Sequence, residues 1–268
     1  MVKISVIIPH YNDSIRLYDA IVSINDAIKY SGVNNDIIII DDGSNDTNKK
    51  IIRNIFDDIN IKYTFLEQKN QGPATARNLG IKNSKSDIIF FTDSDCKVGI
   101  DWIQRHLDIY KQNQNIVGVT GWLEPASNTF VAKLERIKNK FLYGKPEIIL
   151  TNNNKPAGTC NVSYKRSALN EVKGFNESFK KPAGEDFELK ERILKHNPDY
   201  IIASGNSIVY HNDCYDMKYL MKFILKRGWP YKISNRFIYV KFFVLLPIMC
   251  IIICAKGLKL LGGKNRTN

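Results

Sequence analysis

Cysteine is scarce in this chain and forms no recognisable pattern. The five cysteines are an odd number, and no two are separated by two residues: Cys96, Cys160, Cys214, Cys250 and Cys254. A disulfide framework or a zinc site would need paired or regularly spaced cysteines. We therefore expect reduced thiols, as in a protein that faces the cytosol.

The start of the chain lacks the features of a signal peptide. Such a peptide has a basic region, then an apolar stretch, then a cleavage site with small residues. Here a strand-like segment starts at Lys3 instead. We therefore expect a protein on the cytoplasmic side of the cell membrane.

Acidic residues are missing from the last part of the chain. None follows Asp216, whereas eleven Lys and Arg residues do. Subtracting these eleven from the net charge of +12 leaves +1 for residues 1–216. A basic segment of this kind predicts binding either to nucleic acid or to an anionic membrane surface.

The apolar content of that segment decides between these partners. Residues 242–255 carry no charge and are mostly apolar, which suits lipid and not nucleic acid. A transmembrane helix needs about 20 such residues, and a span would carry the last basic residues across, against the positive-inside tendency. We therefore expect a helical, interfacial or re-entrant membrane tail at residues 228–268, with a single span or a buried helix as alternatives.

Residues 1–227 predict an α/β domain, because short apolar runs alternate with amphipathic stretches. The predicted strands are residues 3–8, 36–40, 62–66, 87–91 and 116–120, and the predicted helices are 14–30, 46–57, 73–83 and 101–113. This alternation indicates a mostly parallel sheet between two helical layers. Ligands of such sheets bind outside the carboxyl ends of the strands.

The second half of this domain is less regular. We predict a strand at residues 157–164, a helix at 185–196, short strands at 201–202 and 208–210, and a helix at 217–226. Residues 121–155 match no pattern, so the sequence leaves the acceptor of any reaction undetermined.

Three acidic clusters follow or open predicted elements. Asp93-Ser94-Asp95 follows the apolar run 88–91, Asp41-Asp42 follows the run 37–40, and Glu185-Asp186 opens a predicted helix. Closely spaced carboxylates at a strand end are costly unless a positive group holds them, and a hard divalent cation such as Mn²⁺ or Mg²⁺ prefers oxygen ligands. We expect the three clusters to share one cleft.

These motifs resemble those of the family 2 glycosyltransferases, which have the Rossmann-like GT-A fold, a three-layer sandwich. The likeness covers residues 3–211 in the family's order. The matching segments are residues 5–12 (SVIIPHYN), 41–44 (DDGS), 72–80 (GPATARNLG), 93–95 (DSD), 174–177 (GFNE) and 184–186 (GED).

The resemblance implies a nucleotide-sugar donor, often a UDP-sugar, bound within residues 1–120. Tyr11 would stack on the base, and Asp42 would accept a hydrogen bond from the uracil N–H. Arg77 would either brace the acidic cluster or approach the nucleotide. Without the resemblance, Tyr11 is an ordinary surface aromatic and Asp42 a turn carboxylate. The donor site implied in this way consists of Pro9, Tyr11, Asp41, Asp42, Gly72, Arg77, Asp93 and Ser94.

The resemblance also implies a metal and a general base. Asp95 would be the main metal ligand, with Asp93 and His211 as further candidates. Asp186 would take the proton from the acceptor hydroxyl in an inverting transfer, with Glu185 as the alternative base. Both acids would otherwise be first-turn residues that complement a helix dipole.

Two other functions use the same features. Haloacid-dehalogenase-type phosphatases carry a D-x-D after a strand, but theirs lies near the N-terminus and continues differently from the Cys96-Lys97 found here. A basic nucleic-acid-binding protein would need polar surroundings for its charge. The sequence therefore predicts an inverting glycosyltransferase that uses Mn²⁺ or Mg²⁺. Residues 121–227 would bind the acceptor, which would be a glycan or a lipid-linked molecule.

Overall fold

The computed structural model describes residues 2–58, 61–152, 157–180 and 184–212. These residues belong to the first of the two units, 1–216 and 217–268, into which the chain divides. The predicted helix at 217–226 and the predicted membrane tail lie outside them. Among the described helices, none combines the length and the apolarity needed to cross a membrane.

One eight-stranded sheet organises the described part of the chain. In chain order its strands are β1 (Lys3–His10), β2 (Asn34–Asp41), β3 (Tyr63–Glu67), β4 (Ile88–Phe91), β5 (Cys96–Val98), β6 (Ile116–Pro125), β7 (Val162–Lys165) and β8 (Ile201–His211). Their spatial order is β3-β2-β1-β4-β7-β6-β8-β5. The prediction of α/β architecture is confirmed.

The sheet is mixed: four of its seven strand pairs are parallel, as expected, and three are antiparallel. The strands β3, β2, β1 and β4 pair in parallel, as predicted. Beyond β4, the pairs β4–β7, β6–β7 and β5–β8 are antiparallel, and only β6–β8 is parallel. The regular alternation of strands and helices stops after residue 120, and the parallel pattern stops with it.

Helices cover both faces of the sheet. They are α1 (Ser14–Ser31), α2 (Asp46–Asp58), α3 (Pro73–Asn83), α4 (Trp102–Tyr110), α5 (Phe130–Tyr143), α6 (Arg166–Glu171) and α7 (Glu185–His196). Side chains of α1, α2 and α4 pack with Ile4, Val6 and Ile8 of β1. Those of α3, α6 and α7 pack with Ile7 on the other face. Alternate residues of each strand therefore feed two cores, as in a three-layer sandwich.

Three elements differ from their predictions. The helix α5 occupies the region for which the sequence indicated no pattern. The strand β8 is continuous through residues 203–207, where two separate strands were expected. The strand β7 begins only at Val162, because residues 157–161 form a loop and turn before it.

Candidate active site

The loops after β1 and β2 lie side by side at one edge of the sheet, because these strands are parallel neighbours. Asn12 joins the loops: its N–H donates to Ser44 Oγ at 2.9 Å, and its Oδ1 accepts from the Asn45 N–H at 2.9 Å. These contacts hold the turn that carries Tyr11, directly after Pro9 and His10 at the end of β1. The Tyr11 side chain is 53% exposed, so its ring is open to a ligand.

Asp41 and Asp42 are both buried at the end of β2. Asp41 accepts hydrogen bonds from the Ser44 hydroxyl and N–H. Asp42 accepts from Gln68 Nε2 at 2.7 Å, from the Gln71 N–H at 2.8 Å and from the Gly72 N–H at 2.9 Å. A carboxylate has about four lone-pair sites. Asp42 therefore shapes the loop before α3 and keeps the capacity to accept one further donor.

Gly72 connects that loop to α3 at a point where the main chain of Lys180 lies very close. Its φ is +95°, and a Cβ added there would lie 2.6 Å from the carbonyl oxygen of Lys180. A side chain would meet both a strained backbone and a main-chain clash. Pro73 then occupies the first turn of α3, where its missing N–H is not needed.

Arg77, one turn into α3, joins two of the acidic clusters. Its Nη2 donates to Asp93 Oδ1 at 2.9 Å, and its Nη1 donates to Glu185 Oε1 at 3.0 Å. The guanidinium is buried, and its carbon lies 5.6 Å from the centre of the Phe175 ring. Of the two roles left open for Arg77, the structure shows the bracing contacts with the acidic clusters.

The Cys160 thiol lies near three of the carboxylates, those of Asp93, Asp95 and Asp186. Burial raises the pKa of its thiol, and the negative charges of Asp93, Asp186 and Asp95 raise it further. Ser94, between the two aspartates of its motif, is buried. Two of the three acidic clusters, residues 93–95 and the start of α7, therefore lie close together.

The side chains of Asp95 and His211 lie next to each other. The His211 Nε2 lies 3.5 Å from Asp95 Oδ2, and the potential ligand atoms of Asp95, Cys96 and His211 are all within 4.8 Å of one another. Burial raises the pKa of the Cys96 thiol well above its usual range, which keeps the sulfur protonated. The carboxylate and imidazole form a donor set that fits a divalent cation.

Arg16 of α1 stands beside this pair. Its Nη1 lies 3.7 Å from Asp95 Oδ2 and donates to the Asn212 carbonyl at 3.0 Å, while its Nε donates to Asp13 at 2.7 Å. Arg16 thus ties α1 to the residue after His211. Sequence reasoning missed it, because no local pattern signals a contact between positions so distant in the chain.

Asp186 lies in the first turn of α7. Its Oδ1 accepts from the Phe187 N–H at 2.8 Å. A Cβ on Gly158 would lie 3.9 Å from Asp186 Oδ2, so the turn before β7 lies beside this carboxylate. Burial raises the pKa of Asp186, and the adjacent negative charge of Glu185 raises it further. A carboxylate with a raised pKa is a stronger proton acceptor, as a general base requires.

The model of the family "Glycosyl transferase family 2" matches residues 5–173, more than half of the chain. The chain therefore belongs to family 2 of the glycosyltransferases, and it is an enzyme of that class.

Individual relatives agree with this assignment. An uncharacterized glycosyltransferase of Haemophilus influenzae is 38% identical over 117 residues, which cover 44% of this chain and 46% of that protein. The mannosyltransferase PcManGT of Pyrobaculum calidifontis, solved with GDP-Man and Mn²⁺, superposes with a TM-score of 0.57 at 15% identity, over 76% of this chain and 56% of that one.

A second solved structure shares the fold. GalNAc-T7, solved with UDP, GalNAc and Mn²⁺, superposes with a TM-score of 0.61 at 16% identity, over 79% of this chain and 43% of that one. The alignment with the Haemophilus relative spans less than half of that protein's length. At these identities the two solved structures establish the fold alone.

Proposed function

We propose that this protein is an inverting, metal-dependent glycosyltransferase. It moves a sugar from a UDP-sugar to a hydroxyl of a glycan or lipid-linked acceptor for a cell-surface polysaccharide. The observation that carries the proposal is the Arg77 bridge, because it holds Asp93 on the donor side and Glu185 beside Asp186 within one buried cluster. A donor and a proton acceptor would thus face each other across the cleft.

The donor would lie over the ends of β1, β2 and β4. Tyr11 presents an exposed ring for the base, and Asp42 has capacity to accept the uracil N–H. The two solved neighbours contain GDP-Man and UDP, so guanine and uracil are the two candidate bases for the donor of this enzyme. Asp42 already accepts three hydrogen bonds and has room for about one more, which suits the single N–H of uracil better than the two neighbouring donors of guanine.

Asp95 and His211 would hold the cation. When bound, such an ion neutralises the charge of the departing nucleoside diphosphate as a Lewis acid. Both neighbouring structures contain Mn²⁺, which supports a manganese or magnesium site here. Arg16 would support this site by keeping the chain after His211 in place.

Asp186 would act as the general base. Its raised pKa and its position beside the turn at Gly158 suit it to accept a proton from the acceptor hydroxyl. Glu185 would not serve this role, because its carboxylate is buried in the ion pair with Arg77. Glu185 would instead position Asp186 by fixing the first turn of α7.

The test is a donor panel followed by transfer. UDP-, GDP- and other nucleotide-sugars are incubated with Mn²⁺, and release of the nucleoside diphosphate is measured for the wild type and for Asp186→Asn. We expect release with UDP-sugars in the wild type only. Equal release by the variant would contradict the assignment of Asp186, and no release with any donor would contradict the proposed function.

The basic tail would keep the enzyme at the cytoplasmic face of the membrane. Residues 217–268 lack acidic residues and contain the uncharged run 242–255. Deleting residues 231–268 should weaken binding to membranes while UDP binding persists. Undiminished membrane binding by the truncated protein would contradict a membrane role for the tail.

A further inference from the structure

The helix α5 presents an apolar stripe to solvent. Phe130, Ile137 and Phe141 are 56%, 65% and 69% exposed, and the half-buried Leu134 lies between them. Their spacings of four, three and four residues place all four side chains on one helix face. Large apolar side chains gathered on one exposed face indicate an interaction surface.

The opposite face of α5 is already used for packing, so the stripe cannot turn inward. Val131 and Ala132 are buried. Arg136 anchors this side: it donates to Glu124 at 3.2 Å and to the carbonyl oxygens of Pro125 at 2.8 Å and Ser127 at 2.7 Å. The orientation of the helix about its axis is therefore fixed by β6 and the loop after it.

Basic residues flank the stripe. Lys133 and Lys140 are exposed and lie seven residues apart, so they share one border of the stripe. The one acidic residue of α5, Glu135, contacts Lys138. An apolar stripe bordered by lysines is the pattern of a helix that lies in the interface of an anionic membrane.

We propose that the outer face of α5 docks on an anionic membrane surface. This proposal is independent of the predicted tail and goes beyond the proposed function, which assigns membrane contact to residues 228–268. Charge argues against a second copy as the occupant, because it would place lysines against lysines.

The position of α5 gives this docking a consequence for the reaction. The strand β6 ends at Pro125, which pairs with His211, and the Ala126 N–H donates to the His211 carbonyl at 2.9 Å. The helix α5 starts at Phe130, four residues after Ala126, and is about 21 Å long. A membrane on its outer face would lie next to the cleft, so a lipid-linked acceptor would reach Asp186 without leaving the bilayer.

The test measures binding of the full chain to vesicles. Wild type, Ile137→Glu/Phe141→Glu and Lys133→Glu/Lys140→Glu are floated with vesicles of phosphatidylcholine, with and without phosphatidylglycerol. A matched control, Tyr30→Glu/Ile100→Glu, places the same charges on apolar residues exposed elsewhere. We expect the wild type and the control to bind the anionic vesicles, and both α5 variants to bind at least about tenfold more weakly.

Hydrogen exchange localises the contact. Anionic vesicles should slow exchange of the amides of residues 130–143 in the wild type and not in the stripe variant. UDP binding, measured by calorimetry, should be the same in all four proteins, so a failure here is separable from a failure of the proposed function.

Several results would overturn the proposal. These are an absence of wild-type binding to anionic vesicles, undiminished binding by the stripe variant, an equal loss in the control, or protection confined to residues 217–268. A dimer that the stripe variant converts to monomer, with no change in vesicle binding, would assign the face to a second copy instead.

Discussion

Arg77 and Glu185 form a buried ion pair at 3.0 Å, although 108 residues separate them. The same guanidinium holds Asp93, so one side chain connects the donor half of the cleft with the helix of the proposed base. The buried Glu185 and the half-buried Asp93 are tolerable side by side because Arg77 neutralises them with two separate N–H donors.

Removing this arginine should damage both stability and activity. Arg77→Ala would leave two carboxylates without their cation, and loss of one partner of a buried pair typically costs about 3–5 kcal/mol. Arg77→Lys keeps the charge but lacks the forked geometry, so it should restore only part of the stability and little turnover. Urea unfolding and donor turnover measure the two effects.

Arg105 provides the control for that experiment. It pairs with Asp101 at 2.6 Å on the surface of α4, and exposed pairs of this kind contribute about 1 kcal/mol or less. Arg105→Ala should therefore unfold almost as the wild type does. A similar small effect for Arg77→Ala would show that the bridge does not hold the cleft together.

The variant Glu185→Gln should separate the roles of Glu185 and Asp186, the first two residues of α7. If Glu185 positions Asp186, the variant keeps turnover within roughly tenfold of the wild type, whereas Asp186→Asn loses roughly 10²–10⁴-fold. Donor affinity should stay normal in Asp186→Asn. A collapse in Glu185→Gln with near-normal turnover in Asp186→Asn would reverse the assignment.

The pH profile of kcat/KM gives a second readout of this pair. Asp186 must be ionised to accept a proton, so activity falls as pH drops through its pKa. Because burial and Glu185 raise this pKa, the acid limb should lie above the range of an ordinary aspartate. Glu185→Gln removes a negative charge beside it, which lowers the pKa and moves the limb to lower pH. A shift to higher pH would contradict this electrostatic account.

His106 should make the protein less stable in mild acid. It is fully buried, and its ring nitrogens lie 2.8 Å from the hydroxyl oxygens of Ser163 and Ser207. Burial lowers its pKa to about 3, whereas the unfolded chain protonates near the ordinary value of about 6.5. The unfolded state therefore binds more protons between these values, and stability falls as pH drops from about 6.5 towards 3.

Chemical unfolding at a series of pH values tests this prediction. The slope attributable to one such histidine is about 1.4 kcal/mol per pH unit. His106→Gln should be less stable near neutrality because it loses packing, and its stability should depend less steeply on pH. An unchanged slope in the variant would show that His106 does not titrate as described.

The strand ends of the cleft were predictable because buried parallel strands read as continuous apolar runs. The run 88–91 therefore located Asp93 and Asp95, and the run 37–40 located Asp41 and Asp42. Their roles stay predictions. The bridge through Arg77 was not predictable as a specific contact, because it depends on how α3 and α7 pack together on one face of the sheet.

The helix α5 and the middle of β8 escaped prediction for physical reasons. In α5 the apolar residues Phe130, Leu134, Ile137 and Phe141 do recur at helical spacing, but this face is largely exposed, so the period does not mark a helix that packs on the core. In β8 the buried residues include Ser204 and Ser207. Ser207 satisfies its hydroxyl on His106, and that contact belongs to the folded structure and not to the local sequence.

The metal site should control nucleotide binding. Asp95→Ala removes the carboxylate of the proposed pair and should abolish the manganese-dependent part of UDP affinity. His211→Ala should weaken it less. Calorimetry of UDP with Mn²⁺ measures both, and unfolding curves show whether each variant keeps its fold. Unchanged affinity in Asp95→Ala would remove this residue from the site.

Ligand-induced thermal stabilisation tests the central claim most directly. The full chain is heated with a panel of nucleotide-sugars, with and without Mn²⁺, beside Asp95→Ala. A ligand at 100 times its Kd stabilises the folded state by about 2.7 kcal/mol, which is readily seen as a rise in Tm. We predict that UDP-sugars raise the Tm of the wild type only when Mn²⁺ is present, and do not raise that of the variant. A Tm that no nucleotide-sugar changes, or an equal rise without Mn²⁺ and in Asp95→Ala, would contradict a metal-dependent nucleotide-sugar site.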